Sequence, residues 1–245
     1  MKGIMLLIIV GTLIFAFSAT AQETFQTDTI KTSAGDLNIT FIGHGSLMFF
    51  FGGKIIHVDP FGRLADYSRL AKADLVLITH EHFDHLDVDA LKMVCKDQTV
   101  IVVNEAGAES IDNGIIMRNG DVRTVDGLEI EAVPAYNLVH KRDNGQPFHP
   151  KGVGNGYIIR FGDKRVYVAG DTENIAEMKQ LKHIDIAFLP MNLPYTMTPE
   201  MVADAAAAFS PKILYPYHYG KTDTSRLIDL LKNRKDIEVL IRKME

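Results

Sequence analysis

Residues 75–87 read Leu75-Val76-Leu77-Ile78-Thr79-His80-Glu81-His82-Phe83-Asp84-His85-Leu86-Asp87. A four-residue apolar run stops, and His80, His82, Asp84 and His85 then fall within six positions. The chain holds nine histidines in 245 residues, so chance clustering accounts poorly for three of them here. A short continuous apolar run bounded by polar residues reads as a strand buried on both faces. Side chains that follow it at once are held by a rigid element at the mouth of a sheet. Imidazole and carboxylate are the donors that suit zinc and similar divalent ions. His80 and His82 can share one ion if the backbone turns at the strand end, and Asp84 and His85 can serve a second. A solvated histidine-rich loop would not explain why two later apolar strands also run into such a donor, Asp171 and His218.

Working outward, residues 37–42 alternate in polarity, 47–51 are continuously apolar, and Gly52-Gly53 turns the chain into 54–58, which stops at Asp59-Pro60. This is a hairpin followed by a strand ending in a polar loop. Residues 23–35, rich in Thr, Gln and Ser, read as a loose lead-in, and Phe49-Phe50-Phe51 as sheet core. Downstream, the pattern predicts a helix over 88–95, a strand over 100–103, a short helix over 105–110 and short strands with turns over 115–133. A polar loop spans 137–155. The second half repeats the logic: a hairpin over 157–169, a helix over 175–181 and a strand over 184–189. A helix over 199–209, a strand over 213–215, a helix over 224–232 and a strand over 237–241 complete it. Each half begins with hairpins and moves into strand–helix alternation, which predicts two sheets packed face to face with helices outside, in one domain over 22–245.

Composition narrows the class. With 47% hydrophobic and 23% charged residues the chain is globular, and a net charge of −5 carries no basic footprint for nucleic acid. Lys2, an apolar run over 4–17 and Ser18-Ala19-Thr20-Ala21 form a secretory signal peptide pattern over 1–21, with cleavage after Ala21. The expectation is an exported protein, periplasmic or secreted, with no stable membrane insertion after cleavage. Cys95 is the single cysteine, so no internal disulfide forms, and its apolar helical surroundings place it in the core.

His80-x-His82-x-Asp84-His85 resembles the signature of the metallo-β-lactamase fold superfamily, and the resemblance covers most of 37–220. Its other marks are Asp59 in Val58-Asp59-Pro60, Gly170-Asp171-Thr172 and Pro216-Tyr217-His218. The resemblance implies an αβ/βα sandwich of four layers and two divalent metal ions, zinc first, with manganese or iron as alternatives. It implies His80 and His82 on the first ion, Asp84, His85 and His218 on the second, and Asp171 bridging. Ile42-Gly43-His44-Gly45-Ser46 with Ile56-His57-Val58-Asp59-Pro60 looks most like the L-ascorbate-6-phosphate lactonase-like branch. Leu86-Asp87 stands where glyoxalase II and tRNA-processing types carry Gly-Gly. One departure matters: a third histidine for the first ion is expected after a strand between the signature and Asp171, and Tyr136 stands in that place. His149, beside the restricted Pro147 and Pro150, is the expected substitute. His140, Tyr136 or water are the alternatives.

Two such ions lower the pKa of bound water and polarise a substrate oxygen. Asp84 is the expected catalytic residue, orienting the nucleophile. Asp59 is expected to accept a proton from a ligand histidine and fix its tautomer. The implied reaction is hydrolysis of an ester, lactone or phosphodiester bond of a small molecule. A secreted β-lactamase-type amide hydrolase and a non-catalytic metal-holding protein are the competing readings. Tyr136, Asn137, Tyr195, Tyr219 and Lys221 are candidate substrate contacts. His44 is assigned either to the site or to a turn hydrogen bond, and His57 and His183 to packing or surface. The oligomeric state is left open.

Overall fold

A computed structural model describes residues 25–245, and the segment expected to be a signal peptide, 1–21, lies outside them. The first sheet holds β1 (Gln26–Thr32), β2 (Gly35–Gly43), β3 (Ser46–Phe51), β4 (Lys54–Val58), β5 (Leu75–Leu77), β6 (Val100–Val103) and β7 (Ile115–Ile116), side by side in chain order. The second holds β8 (Val122–Val125), β9 (Leu128–Ala135), β10 (Gly154–Phe161), β11 (Lys164–Val168), β12 (Ile186–Pro190), β13 (Ile213–Tyr217) and β14 (Glu238–Val239), again in chain order. Each sheet opens as a four-stranded antiparallel meander and continues as parallel pairs. The two halves therefore share one topology, as their similar sequence patterning predicts. Helices α1 (Val88–Val94), α2 (Ala176–Lys179), α3 (Pro199–Phe209) and α4 (Thr224–Leu231) lie in the crossovers of the parallel parts.

The apolar run that opened the sequence is apolar for a reason. Leu75 and Leu77 belong to the main core, whereas Val76 and Ile78 belong to a second cluster with Ala90, Leu91 and Val94 of α1. β5 is thus buried on both faces, which is what a continuous rather than alternating pattern requires. Aromatic residues join the sheets: Phe41 of β2 lies 5.0 Å from the Tyr215 ring of β13, and Phe49 of β3 lies 5.5 Å from Phe161 of β10. α3 begins at Thr198, whose hydroxyl accepts from the Met201 N–H, with Pro199 at its first position.

The chain departs from the sequence expectations in five places. The lead-in is strand β1, paired antiparallel with β2 from Gln26 to Thr32. It is largely solvated on both faces, so it carries no apolar period to read, and Thr29 donates to Asn38 at 2.7 Å across the pair. The helix expected over 105–110 is a single 3₁₀ turn, and the one over 175–181 shrinks to α2. Of the three phenylalanines, Phe49 is fully buried and Phe51 packs partly buried on the same core, whereas Phe50 is exposed because alternate strand residues face opposite sides. Cys95 caps the C-terminus of α1 and is half-buried rather than core.

Candidate metal centre

The loops at the C-terminal ends of β4, β5, β11 and β13 meet the β2–β3 turn at one rim of the sandwich. Asp59 follows β4, the 80–85 run follows β5, Asp171 follows β11, and His218 follows β13. Three of these non-glycine residues hold left-handed backbone: His44 (φ 49°), Asp59 (φ 44°) and His218 (φ 47°). Such conformations cost of order 1–3 kcal/mol each, persist where the surroundings enforce them, and cluster at functional sites. Here the enforcement is visible: the His218 N–H donates to the His44 carbonyl at 2.9 Å, locking the two turns together across the sheets. Gly45 is required by proximity, since a Cβ there would lie 2.8 Å from the His85 ring.

The donor atoms converge in overlapping groups. One ligand atom from each of His80, His82 and His149 lies within 4.8 Å of the others, and the same holds for His44, Asp84, His85 and His218. Asp171 joins the groups: one carboxylate oxygen is 3.5 Å from His85 Nε2, the other 3.3 Å from His149 Nε2 and 3.4 Å from His218 Nε2. His80 Nε2, His85 Nε2, His218 Nε2 and Asp171 Oδ1 are buried without a hydrogen-bond partner. An unsatisfied buried polar atom costs about 1–3 kcal/mol. Four such atoms aimed at one place fit divalent cations in both chemistry and number.

The far sides of three of these imidazoles are tied down. His85 Nδ1 donates to Asp59 Oδ2 at 2.8 Å, and Asp59 itself accepts from the Thr79 N–H (2.8 Å) and hydroxyl (2.6 Å). His80 Nδ1 reaches the same Thr79 hydroxyl at 3.0 Å, and His149 Nδ1 lies 2.6 Å from Asn137 Oδ1. These bonds leave the Nε2 lone pairs facing the centre. Burial pulls the His85 imidazole down, but the Asp171, Asp59 and Asp84 carboxylates outweigh it and raise its pKa to about 9. Burial wins at His218, which falls to about 4 despite Asp171. It also holds His80 well below its ordinary value, with the neighbouring histidines adding to the effect. At Asp84 burial opposes ionisation, yet the His44 hydrogen bond and His85 hold the carboxyl well below the usual range.

A cavity of about 410 Å³ opens over the cluster. His44, His82, Asp84, His149, Asp171 and His218 form its polar floor and sides, with Asn192 beside them, and Phe83, Arg142, Phe148 and Tyr195 complete the lining. Among the sequence candidates, His149 therefore sits with His80 and His82. His140 does not: its Nδ1 lies 2.7 Å from Glu173. Tyr195 lines the cavity, but the other four proposed substrate contacts do not. Tyr136 is buried, with its phenol donating to Glu177 at 2.9 Å. Asn137 is buried and spent on His149. Tyr219 is buried, donating to the Arg242 carbonyl at 2.7 Å, and Lys221 is exposed away from the lining. His57 is packed, its Nε2 3.0 Å from the Ala71 carbonyl, and His183 is exposed.

Glu173, which the sequence reading passed over, organises the loop that carries His149. Its buried carboxylate accepts the backbone N–H groups of Leu138 (2.7 Å), Val139 (2.6 Å) and His140 (2.6 Å), and the Asn137 amide at 3.2 Å. Asn137 Oδ1 in turn accepts the His149 N–H at 2.9 Å. The residue two past Asp171 thus braces the loop that delivers His149. Its only sequence signal was its place beside Gly170-Asp171-Thr172.

Comparison with known proteins identifies the family. The family described as "Beta-lactamase superfamily domain" matches residues 38–218. The chain is 33% identical over 199 residues to a UPF0173 metal-dependent hydrolase of Methanopyrus kandleri, covering 75% of this chain and 84% of that one. The crystal structure of a protein of Parabacteroides distasonis described as a metal-dependent hydrolase is similar at a TM-score of 0.87 and 52% identity, covering 91% of this chain and all of the other. Igni18, a metallo hydrolase from Ignicoccus hospitalis, is similar at a TM-score of 0.70 and 26% identity, covering 85% of this chain and 96% of that one.

Proposed function

Because the chain belongs to the beta-lactamase superfamily and is a metal-dependent hydrolase, we propose that two divalent ions, zinc foremost, are held at the rim cluster and serve hydrolysis of an ester, lactone or phosphodiester bond in a small molecule. His80, His82 and His149 would hold one ion, Asp84, His85 and His218 the other, and Asp171 both. The observation that supports this most is the set of four buried, partnerless donor atoms converging from three different loops.

Such ions supply an acidified water and a Lewis acid for the substrate oxygen. The protein supplies the rest. Asp59 and Asn137 keep the Nδ1 protons of His85 and His149, so that Nε2 faces the centre. Asp84 is held by His44 Nε2 at 3.1 Å and stands at the cavity surface. Its free oxygen is placed to accept a proton from water and to orient it.

Metal content and turnover test the reading together. The purified protein should bind about two equivalents of zinc, and His149→Ala should lose one while keeping its fold. Hydrolysis of generic aryl ester, lactone or phosphodiester substrates should vanish on chelation and return with metal. Two equivalents retained by the His149 variant would sink the ligand assignment. Turnover confined to β-lactams would instead select the amide-hydrolase reading. Export through residues 1–21 is part of the same proposal. Fractionation of expressing cells checks it, and a cytoplasmic, unprocessed chain would refute it.

A further inference from the structure

The upper wall of the cavity is unlike its floor. Arg142 is the single lysine or arginine that lines it. It sits on a small hairpin closed by the Arg142 N–H to Gln146 carbonyl bond (2.8 Å) and the Lys141–Pro147 bridge. Its guanidinium lies 5.2 Å from the Phe148 ring centroid and gives one hydrogen bond, to the Phe148 carbonyl at 3.3 Å. No carboxylate of the described residues lies within ion-pair distance of it, although the chain carries 31 acidic side chains. Phe148 in turn meets Tyr195 edge-on at 5.0 Å, and Tyr195 is 45% exposed. A similar pairing occurs at Phe83, which also lines the cavity, although its partners Phe61 and Arg63 do not. Phe83, 65% exposed, packs edge-on to Phe61, and Arg63 lies 5.5 Å above the Phe83 ring, also without a carboxylate partner among the described residues. A guanidinium stacked on an aromatic ring is fixed in plane with donors to spare, which is the arrangement that recognises carboxylate or phosphate oxygens.

We propose that Arg142, with Phe148 and Tyr195, forms a recognition subsite for an oxyanion joined to a flat apolar group, so that the substrate is an anionic, partly aromatic or otherwise planar small molecule. This rests on the cavity being where the substrate is cleaved. The floor provides the reacting centre. The wall provides charge neutralisation and a stacking face away from it. An unpaired arginine and exposed aromatic rings in one cavity have no structural task to explain them, whereas a ligand of this class satisfies both at once.

The test separates recognition from turnover. A matched pair of 4-nitrophenyl esters, one ending in a free carboxylate and one with a methyl ketone in its place, is prepared along with the corresponding ethers, which cannot be hydrolysed. Binding of the ethers to metal-loaded protein is measured calorimetrically. The wild type should prefer the carboxylate ether by roughly tenfold or more, the scale of one charge-assisted bond. Arg142→Gln should bring that ratio close to one, and Arg142→Lys should keep part of it. Phe148→Ala should weaken the aryl carboxylate relative to an alkyl carboxylate of equal charge. A wild type with no preference, or an Arg142→Gln protein that keeps it, overturns the proposal. If the ethers show the preference but neither ester is cleaved, ester hydrolysis falls and the subsite stands.

Discussion

The two halves of the molecule have the same topology and contribute to the centre in opposite ways. The first sheet delivers its donors in one burst, His80 to Asp84 to His85, from the end of a single strand. The second delivers one donor per loop, with His149 before β10, Asp171 after β11 and His218 after β13. Dispersed donors depend on register and on bracing; contiguous ones depend on a single turn. The second half should therefore be the more fragile supplier, and its weakest member is the one farthest from any strand end, His149.

The sharpest way to break the contrast is at Asp171, the residue that faces both donor groups. Asp171→Ala should cost more than the roughly 100-fold in metal affinity that loss of an outer partner costs, and should remove both ions rather than one. Metal titration followed by cobalt absorption would show it. Retention of one full-affinity ion would mean that the two groups are independent.

Next in size are the two outer partners, one from each half. Asp59→Asn and Asn137→Ala should each lower metal affinity about 10–100-fold, but not alike. Asp59 is held by two bonds from Thr79, whose hydroxyl also meets His80 Nδ1, so its loss should weaken the His85 group most and stay within the donors of the first sheet. Asn137 holds both the ring and the backbone of His149, so its loss should release the loop as well. Hydrogen exchange over 137–149 should rise in the Asn137 variant and stay unchanged in the Asp59 variant. Equal exchange in the two would erase the distinction.

Glu173 comes after these. Glu173→Gln replaces acceptor capacity for three backbone N–H groups with an amide that donates, and should weaken binding of one ion by roughly tenfold, since hydrogen bonds to a charged group are worth about 1.5–3 kcal/mol. Combined with Asn137→Ala the losses should be less than additive, because both act through His149. Full additivity would show that Glu173 works on something else.

The same contrast explains what was legible in the sequence. The 80–85 cluster, Asp171 and His218 could be read because each follows an apolar run whose end marks a rim position. β5 was legible because burial on both faces removes polar residues from it. His149 could be singled out only by the absence of a histidine at Tyr136, since the loop between them has no period, and its position is fixed by the long-range bonds of Asn137 and Glu173. For the same reason Asn137 resembled a substrate contact: a polar residue just beyond a strand looks alike whether it faces a cavity or braces a neighbour. β1 was missed because a solvated edge strand has no apolar face to announce it. Arg142 and Phe148 carried no signal, since charge and aromaticity in a polar loop acquire meaning only when the loop folds over the cavity.

A contrast of another kind concerns a histidine that belongs to neither donor group. His57 and His85 are both fully buried, yet their pKa values part, to about 4 and about 9. Burial lowers both. His85 is raised because carboxylates surround it, whereas His57 has only the Ala71 carbonyl, which offsets little. For His57 the folded pKa lies below the unfolded 6.5, so the unfolded chain takes up a proton first as pH falls. The neutral ring thus contributes stability that is fully present above about pH 6.5 and is lost progressively towards pH 4, by about 3 kcal/mol in all. His57→Gln keeps a donor for the carbonyl but cannot titrate. Its denaturant midpoint should fall less steeply than the wild type's between pH 6.5 and 4, while the two run parallel above pH 7. Parallel curves throughout would mean that His57 opens to solvent and is protonated without unfolding, and burial alone would then not separate a packed histidine from one held at the centre.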